Sequence, residues 1–240
     1  RANDNYALIY ASGNGHMKIL RFLKIDFGLT TKDARAQNNY ALILAATYGH
    51  VETLRFLKYE FRLTADDARA QSNFALRGAA KNGHVEVLRF LKNGFGLTTK
   101  DARDRNNEAL KNAAQNGHVE VLRVLKNGFG LTTKDARDKN NEALKNAVSF
   151  RRLDVLRVLK DDFGLTAKDA RVNDNEALKD ASFHGAAKIL RFLKNEFKLT
   201  ADDARACNNH ALIIASGNGR VEVLRVLKND FGLTADDARA

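Results

Sequence analysis

The chain repeats itself. Asn82 to Arg103 reads NGHVEVLRFLKNGFGLTTKDAR, and the string returns from Asn116 to Arg137 with Val124 in place of Phe90. Slid against itself, the 240-residue sequence matches at a period of 34 residues without insertion. Seven copies occupy 1–34, 35–68, 69–102, 103–136, 137–170, 171–204 and 205–238, and Arg239 and Ala240 open an eighth. A fixed period of this length constrains the fold more than any composition does, because a unit too small to bury its own apolar face must stack on its neighbours.

Each copy has the same packing task, so positions that never vary report on structure. In first-copy numbering these include Asn5, Ala7, Leu8, Ala11, Leu20, Arg21, Leu23, Lys24, Phe27, Leu29, Thr30, Asp33 and Ala34. Tyr6 to Ser12 places small or apolar residues at 7, 8, 11 and 12, the spacing of one helical face. The fourth column holds only Asp, Asn or Ser (Asp4, Asn38, Ser72, Asn106, Asn140, Asp174, Asn208) and reads as a helix N-cap. A break near Gly15 precedes a second helix from about His16 to Ile25, with Lys18, Arg21 and Lys24 on its outer side. Leu29-Thr30-x-x-Asp33-Ala34 then predicts a short third helical turn closed by a capping box. No β-structure is expected. Proline is absent throughout, which suits closely spaced helices.

NNYALILAATYGHVETLRFL (Asn38 to Leu57) and GAAKNGHVEVLRFL (Gly78 to Leu91) resemble the paired helices of an ankyrin repeat and the Gly-His turn between them. The Asn-Asn-x-Ala-Leu variant is similar to ankyrin arrays of giant viruses that infect amoebae. The resemblance spans all seven copies. It implies an all-α solenoid of ankyrin-like helical hairpins, roughly 70 Å long from seven steps of about 10 Å, whose first helices line a concave groove. Protein partners in an infected or host cell, and hence a cytoplasmic location, are further implications. The sequence departs from the family where the β-hairpin belongs, since the Leu-Thr-x-x-Asp-Ala-Arg turn stands there instead. In the fifth copy Arg151 and Arg152 replace the Gly-His pair, so a distorted turn is expected.

No nucleophile elbow, phosphate loop or zinc-protease motif is present, and an enzyme is not expected. His16, His50, His84 and His118 share a column. Helices stacked about 8–10 Å apart cannot bring such residues around one ion whose ligands must lie about 2 Å away. They read as turn histidines, and no metal or cofactor is expected. Asn5 and its equivalents read as bridges between the backbones of adjacent copies. The lone Cys207 forms no internal disulfide, and no run reaches the roughly 18 apolar residues of a membrane span.

The variable columns 6, 9, 10 and 13 lie on one face of the first helix, where the resemblance places the groove. They carry Tyr6, Ile9 and Tyr10, then Tyr40, Ile43 and Leu44, then Phe74 and Arg77. The pattern switches to Glu108-Lys111, Glu142-Lys145 and Glu176-Lys179 before His210, Ile213 and Ile214. A partner protein is therefore expected on that face, with Arg77 meeting an acidic group. A second expectation is a filament of end-to-end copies, because neither terminal copy replaces its core columns by polar residues. The missing initiator Met points to processing or to a window cut from a longer array. The net charge of +11 raises a third reading, nucleic acid on the Arg21 and Lys24 columns. It is disfavoured, because acids three residues before the Arg column can pair with it and no aromatics interleave with the stripe.

Overall fold

The computed structural model describes residues 4–239. Residues 1–3 of the first copy and Ala240 of the incipient eighth lie outside the described residues. The chain forms two compact units, Arg1–Leu131 and Thr132–Ala240. Among the described residues every regular element is helical.

In the first unit the inner helices are Tyr6–Gly13, Ala36–Thr47, Ala70–Lys81 and Asp104–Asn116. The outer ones are Met17–Ile25, Val51–Tyr59, Val85–Asn93 and Val119–Arg123, the last continuing as a π-wound turn over Val124–Gly128. The second unit repeats the scheme with inner helices Asp138–Ser149 and Val172–Phe183 and outer helices Leu153–Asp161, Ala187–Asn195 and Val221–Asn229. Its last inner helix is part of the span Ala201–Gly217, which takes in the preceding short helix. Within each unit successive inner helices pack directly on one another. Their alanine columns permit the close approach, and Ala41, Ala45, Ala75 and Ala79 are all buried.

Outer-helix leucines such as Leu54 and Leu57 are buried in every interior copy, while column 22 and 27 residues face the preceding copy. The first copy shows the direction. Phe27 is 67% exposed and Phe22 52%, whereas Phe61, Phe129, Phe163 and Phe197 are fully buried. Burying a phenylalanine contributes about 2–3 kcal/mol, so each junction between copies is a large share of array stability.

The short helix sits where a β-hairpin was the family expectation, and it is closed as the sequence predicts. In Thr30–Asp33, Thr64–Asp67 and their later equivalents the aspartate accepts from the threonine N–H, at 2.8 Å and 2.7 Å in the first two copies. The same carboxylate also binds an arginine that opens its copy, 32 residues earlier. Arg35 Nε donates to Asp67 Oδ1 at 2.7 Å, Arg69 to Asp101 at 2.9 Å, Arg137 to Asp169 at 2.6 Å and Arg171 to Asp203 at 2.7 Å. Burial opposes ionisation of these four carboxyls, but the arginine and threonine donors outweigh it and hold each below the usual carboxylate range. The Arg205 guanidinium and the Thr234 N–H bring Asp237 down to about 2.

The N-cap expectation for the column of Asn38 is corrected by the backbone. Gln37, Asn38 and Asn39 all lie in the left-handed region, with φ of 50°, 54° and 64°. The same three columns are left-handed in each later copy. One left-handed turn per copy thus leads into each inner helix, closed by an i to i−4 bond such as Asn73 N–H to Arg69 O at 2.9 Å. Asn and Asp are frequent here because they tolerate this region best among residues with a Cβ. Asn5 itself has φ 49° and makes no side-chain cap bond. At Asn141, Asn209 and Asn73 its column does not make the bridge between neighbouring backbones that was expected of it: Asn141 Nδ2 donates to Asp169 O at 3.3 Å and Asn209 Nδ2 to Asp237 O at 3.1 Å, each within its own copy, while Asn73 Nδ2 reaches the Asp104 carboxylate of the next copy at 3.0 Å.

The expected distortion of the fifth turn is absent. Arg151 takes the glycine's left-handed conformation at φ 56°, and Arg152 N–H bonds Ala147 O as His50 N–H bonds Ala45 O. The neighbouring copy explains why a side chain fits. A Cβ on Gly49 would lie 2.7 Å from His84 Nδ1, and one on Gly83 2.8 Å from His118 Nδ1. Opposite Arg151 the next copy carries Ala186 in the histidine column. Gly83→Ala is therefore expected to lower unfolding free energy by about 2 kcal/mol, while Arg151→Ala changes it by less than about 0.5 kcal/mol. Urea unfolding of the two variants checks the contrast.

Candidate partner-binding surface

The inner-helix face of residues 4–131 gathers exposed rings. Tyr6 is 52% exposed and Tyr10 61%, their rings stacked with centroids 6.0 Å apart, and Tyr40 and Phe74 continue the face at 37% and 41%. Leu44 is half-buried beside them. In residues 132–239, His210 and Ile213 are exposed and Ile214 half-buried.

Three of the predicted contact residues do not face outward. Ile9 and Ile43 are fully buried and Arg77 is 5% exposed. The reason is the next copy, since column 9 of one copy meets column 6 of its successor. Arg77 NH1 donates to Glu108 Oε1 at 2.7 Å, and Lys145 Nζ lies 2.8 Å from Glu176 Oε1. Arg77 also donates to Ser72 O at 2.8 Å and Gln71 O at 3.1 Å, and its guanidinium lies over the Phe74 ring. The acid predicted for Arg77 is thus part of this chain. In the middle copies Lys145 and Glu176 likewise form an internal pair, legible as an acid 31 residues after the cation.

Sequence reasoning passed over other exposed rings. Tyr48, Phe150 and Phe183 stand at the turn after the inner helix, at 59%, 48% and 46% exposure. For Tyr48 and Phe150 the available signal was an aromatic in a turn column that carries Asn in most other copies, and for Phe183 an aromatic in a column otherwise held by small or polar residues. Beside Phe74 lies a groove of about 340 Å³ lined by Thr47, Arg77, Gly78, Lys81, Asn82, Glu108 and Asn112.

On the outer helices the two cation columns knit copies together. Lys24, Lys58, Lys92 and Lys194 lie over the Phe61, Phe95, Phe129 and Phe231 rings of the following copies at 4.8, 5.1, 5.3 and 5.4 Å. Arg55 covers the Phe90 ring and also pairs with Glu52. Arg89, Arg123 and Arg225 pair with Glu86, Glu120 and Glu222, and Arg191 pairs with Asp230. Aromatics do interleave with the stripe, contrary to expectation, but they lie beneath the cations as packing partners.

Burial pushes the His84 imidazole below its ordinary range, and the Thr47 carbonyl accepts its proton. His118 Nε2 reaches Lys81 O at 3.0 Å in the same way, and Arg220 Nε donates to Phe183 O at 3.1 Å in the second unit. At His84, His118 and Arg220 the column therefore fastens an outer helix to the end of the preceding copy's inner helix, as turn residues. Among the described residues no helix is long and apolar enough to cross a membrane.

A family model described as ankyrin repeats, in three copies, matches residues 76–169. No curated protein matches the chain. The matched span covers inner helix, Gly-His turn, outer helix and the left-handed lead-in, and the copies on either side fold alike. Residues 76–169 carry ankyrin repeats, and among the described residues the copies share an all-helical form with a short capped helix after the outer helix.

Proposed function

We propose that the chain is a protein-binding module that captures its partner on the inner-helix face of residues 4–131, with Tyr6, Tyr10, Tyr40, Leu44 and Phe74 as contact residues. Ankyrin repeats are in general protein–protein interaction modules. The observation that carries the assignment is a difference between copies. The column that holds Glu176 in an internal pair with Lys145 carries exposed rings at Tyr6, Tyr40 and Phe74. Tyrosine supplies large contact area at low cost in side-chain entropy, and a contiguous exposed apolar strip is a common mark of an interface. His210, Ile213 and Ile214 form a smaller second patch. The double variant Tyr10→Ala, Tyr40→Ala is expected to weaken partner binding about 100-fold, the loss typical of two central aromatic contacts, with an unchanged urea midpoint. Unchanged binding by a folded variant overturns the assignment.

A second reading is self-association through the first copy, where Ile19, Phe22 and Phe27 are exposed at columns that most later copies bury. A second copy of the chain, offering its last inner and outer helices, supplies the matching surface. Light scattering across a concentration series then shows growth beyond the monomer mass; a constant monomer overturns the reading.

A further inference from the structure

The groove beside Gly78 is the one place on the inner face of the first unit where three unusual features coincide. Column 10 carries a side chain in every other copy, namely Tyr10, Leu44, Asn112, Asn146, Asp180 and Ile214. The glycine opens the surface down to Thr47, whose Oγ1 would lie 2.4 Å from a Cβ at position 78. That hydroxyl is buried and makes no hydrogen bond within the protein. A buried hydroxyl without a partner carries an uncompensated desolvation cost, which an acceptor brought into the groove recovers.

Charge gives the identity of the acceptor. Of the cations lining the groove, Arg77 is already neutralised by Glu108 at 2.7 Å and by two backbone carbonyls. Lys81, at the end of the inner helix Ala70–Lys81, is exposed and has no ion pair among the described residues. Glu108 is the acid of the groove lining and is held by Arg77, so the uncompensated charge is that of Lys81. The Phe74 ring forms the neighbouring wall.

We infer that the Gly78 groove seats an aspartate or glutamate side chain of the partner, its carboxylate accepting from the Lys81 ammonium and the Thr47 hydroxyl. The ligand class is a peptide segment with apolar side chains that cover Tyr10, Tyr40 and Phe74, followed by an acidic residue at the third copy. Lys81 takes over the role that the sequence pattern suggests for Arg77. This inference rests on the inner face being the binding surface, and the experiment separates the two.

Linear peptides are selected from a random display library against the whole chain and measured by fluorescence anisotropy on the wild type, on Lys81→Ala, and on Tyr10→Ala with Tyr40→Ala. The expected peptides carry Asp or Glu, and replacing that residue by Asn or Gln weakens binding about tenfold to the wild type while leaving binding to Lys81→Ala unchanged. Lys81 is exposed, so the variant folds as the parent does, and its urea midpoint verifies this. Peptides that need the two tyrosines but ignore both Lys81→Ala and the acid replacement overturn the inference and leave the inner-face assignment standing. Peptides indifferent to the tyrosines and to Lys81, or no selected peptides at all, overturn both.

Discussion

Asp169→Ala is expected to lower the unfolding free energy by about 3 kcal/mol, a large effect for one side chain near the surface. The carboxylate is 5% exposed and has two kinds of donor. It accepts from the Thr166 N–H at 2.8 Å, and it takes both Arg137 Nε and NH2 at 2.6 and 3.0 Å. Alanine leaves the first turn of a helix uncapped and an arginine without its fork partner. Asp169→Asn keeps the shape and loses the charge, so it is expected to recover less than half of the loss. The same carboxylates set the acid limit. Their folded pKa values lie below the unfolded ones, so the unfolded chain binds the protons first. Stability from them is full above about pH 5 and is lost as the pH falls below about 4, the unfolded carboxylate value, and on through the lowered folded values. Urea midpoints measured at intervals from neutral pH to about pH 3 are expected to be flat and then to fall, with a shallower fall in Asp169→Ala.

Asn141→Val is expected to cost about 3 kcal/mol, from two sources. A β-branched residue at φ 61° is strained by about 1–2 kcal/mol, and the buried donor to Asp169 O is lost. The adjacent Asn140 separates the two. At φ 55° and exposed, Asn140→Gly is expected to raise stability by about 0.5 kcal/mol, because only the backbone matters there. If Asn140→Gly destabilised the chain, the left-handed turn would not be the reason for this column's composition. Because repeat arrays unfold by neighbouring units, both losses are expected to appear as an earlier and broader urea transition.

How much of this was legible depended on how far each partner lay along the chain. The inner helix, the outer helix and the Thr-x-x-Asp box are local, and seven copies state each one repeatedly. The left-handed turn was misread because Asn, Asp and Ser serve both as N-caps and as left-handed residues. Their preference is shared while the geometry differs. The wheel of a single helix put Ile9, Ile43 and Arg77 outside, since it contains nothing of the following copy that buries them. The arginine that opens each copy is as constant as the leucines, but its purpose becomes visible only when the aspartate 32 residues later folds against it. The phenylalanines beneath the lysines were hidden for the same reason, each ring belonging to the next copy.

Invariant columns hold the stack together, and the aromatic columns of the first copies are left for a partner. The most direct test is to measure one selected peptide ligand by fluorescence anisotropy against two double variants of the whole chain. Tyr10→Ala with Tyr40→Ala is expected to weaken binding about 100-fold at unchanged stability. Lys145→Ala with Glu176→Ala is expected to lower stability slightly and to leave affinity unchanged. Loss of affinity in the second variant and none in the first would contradict the account.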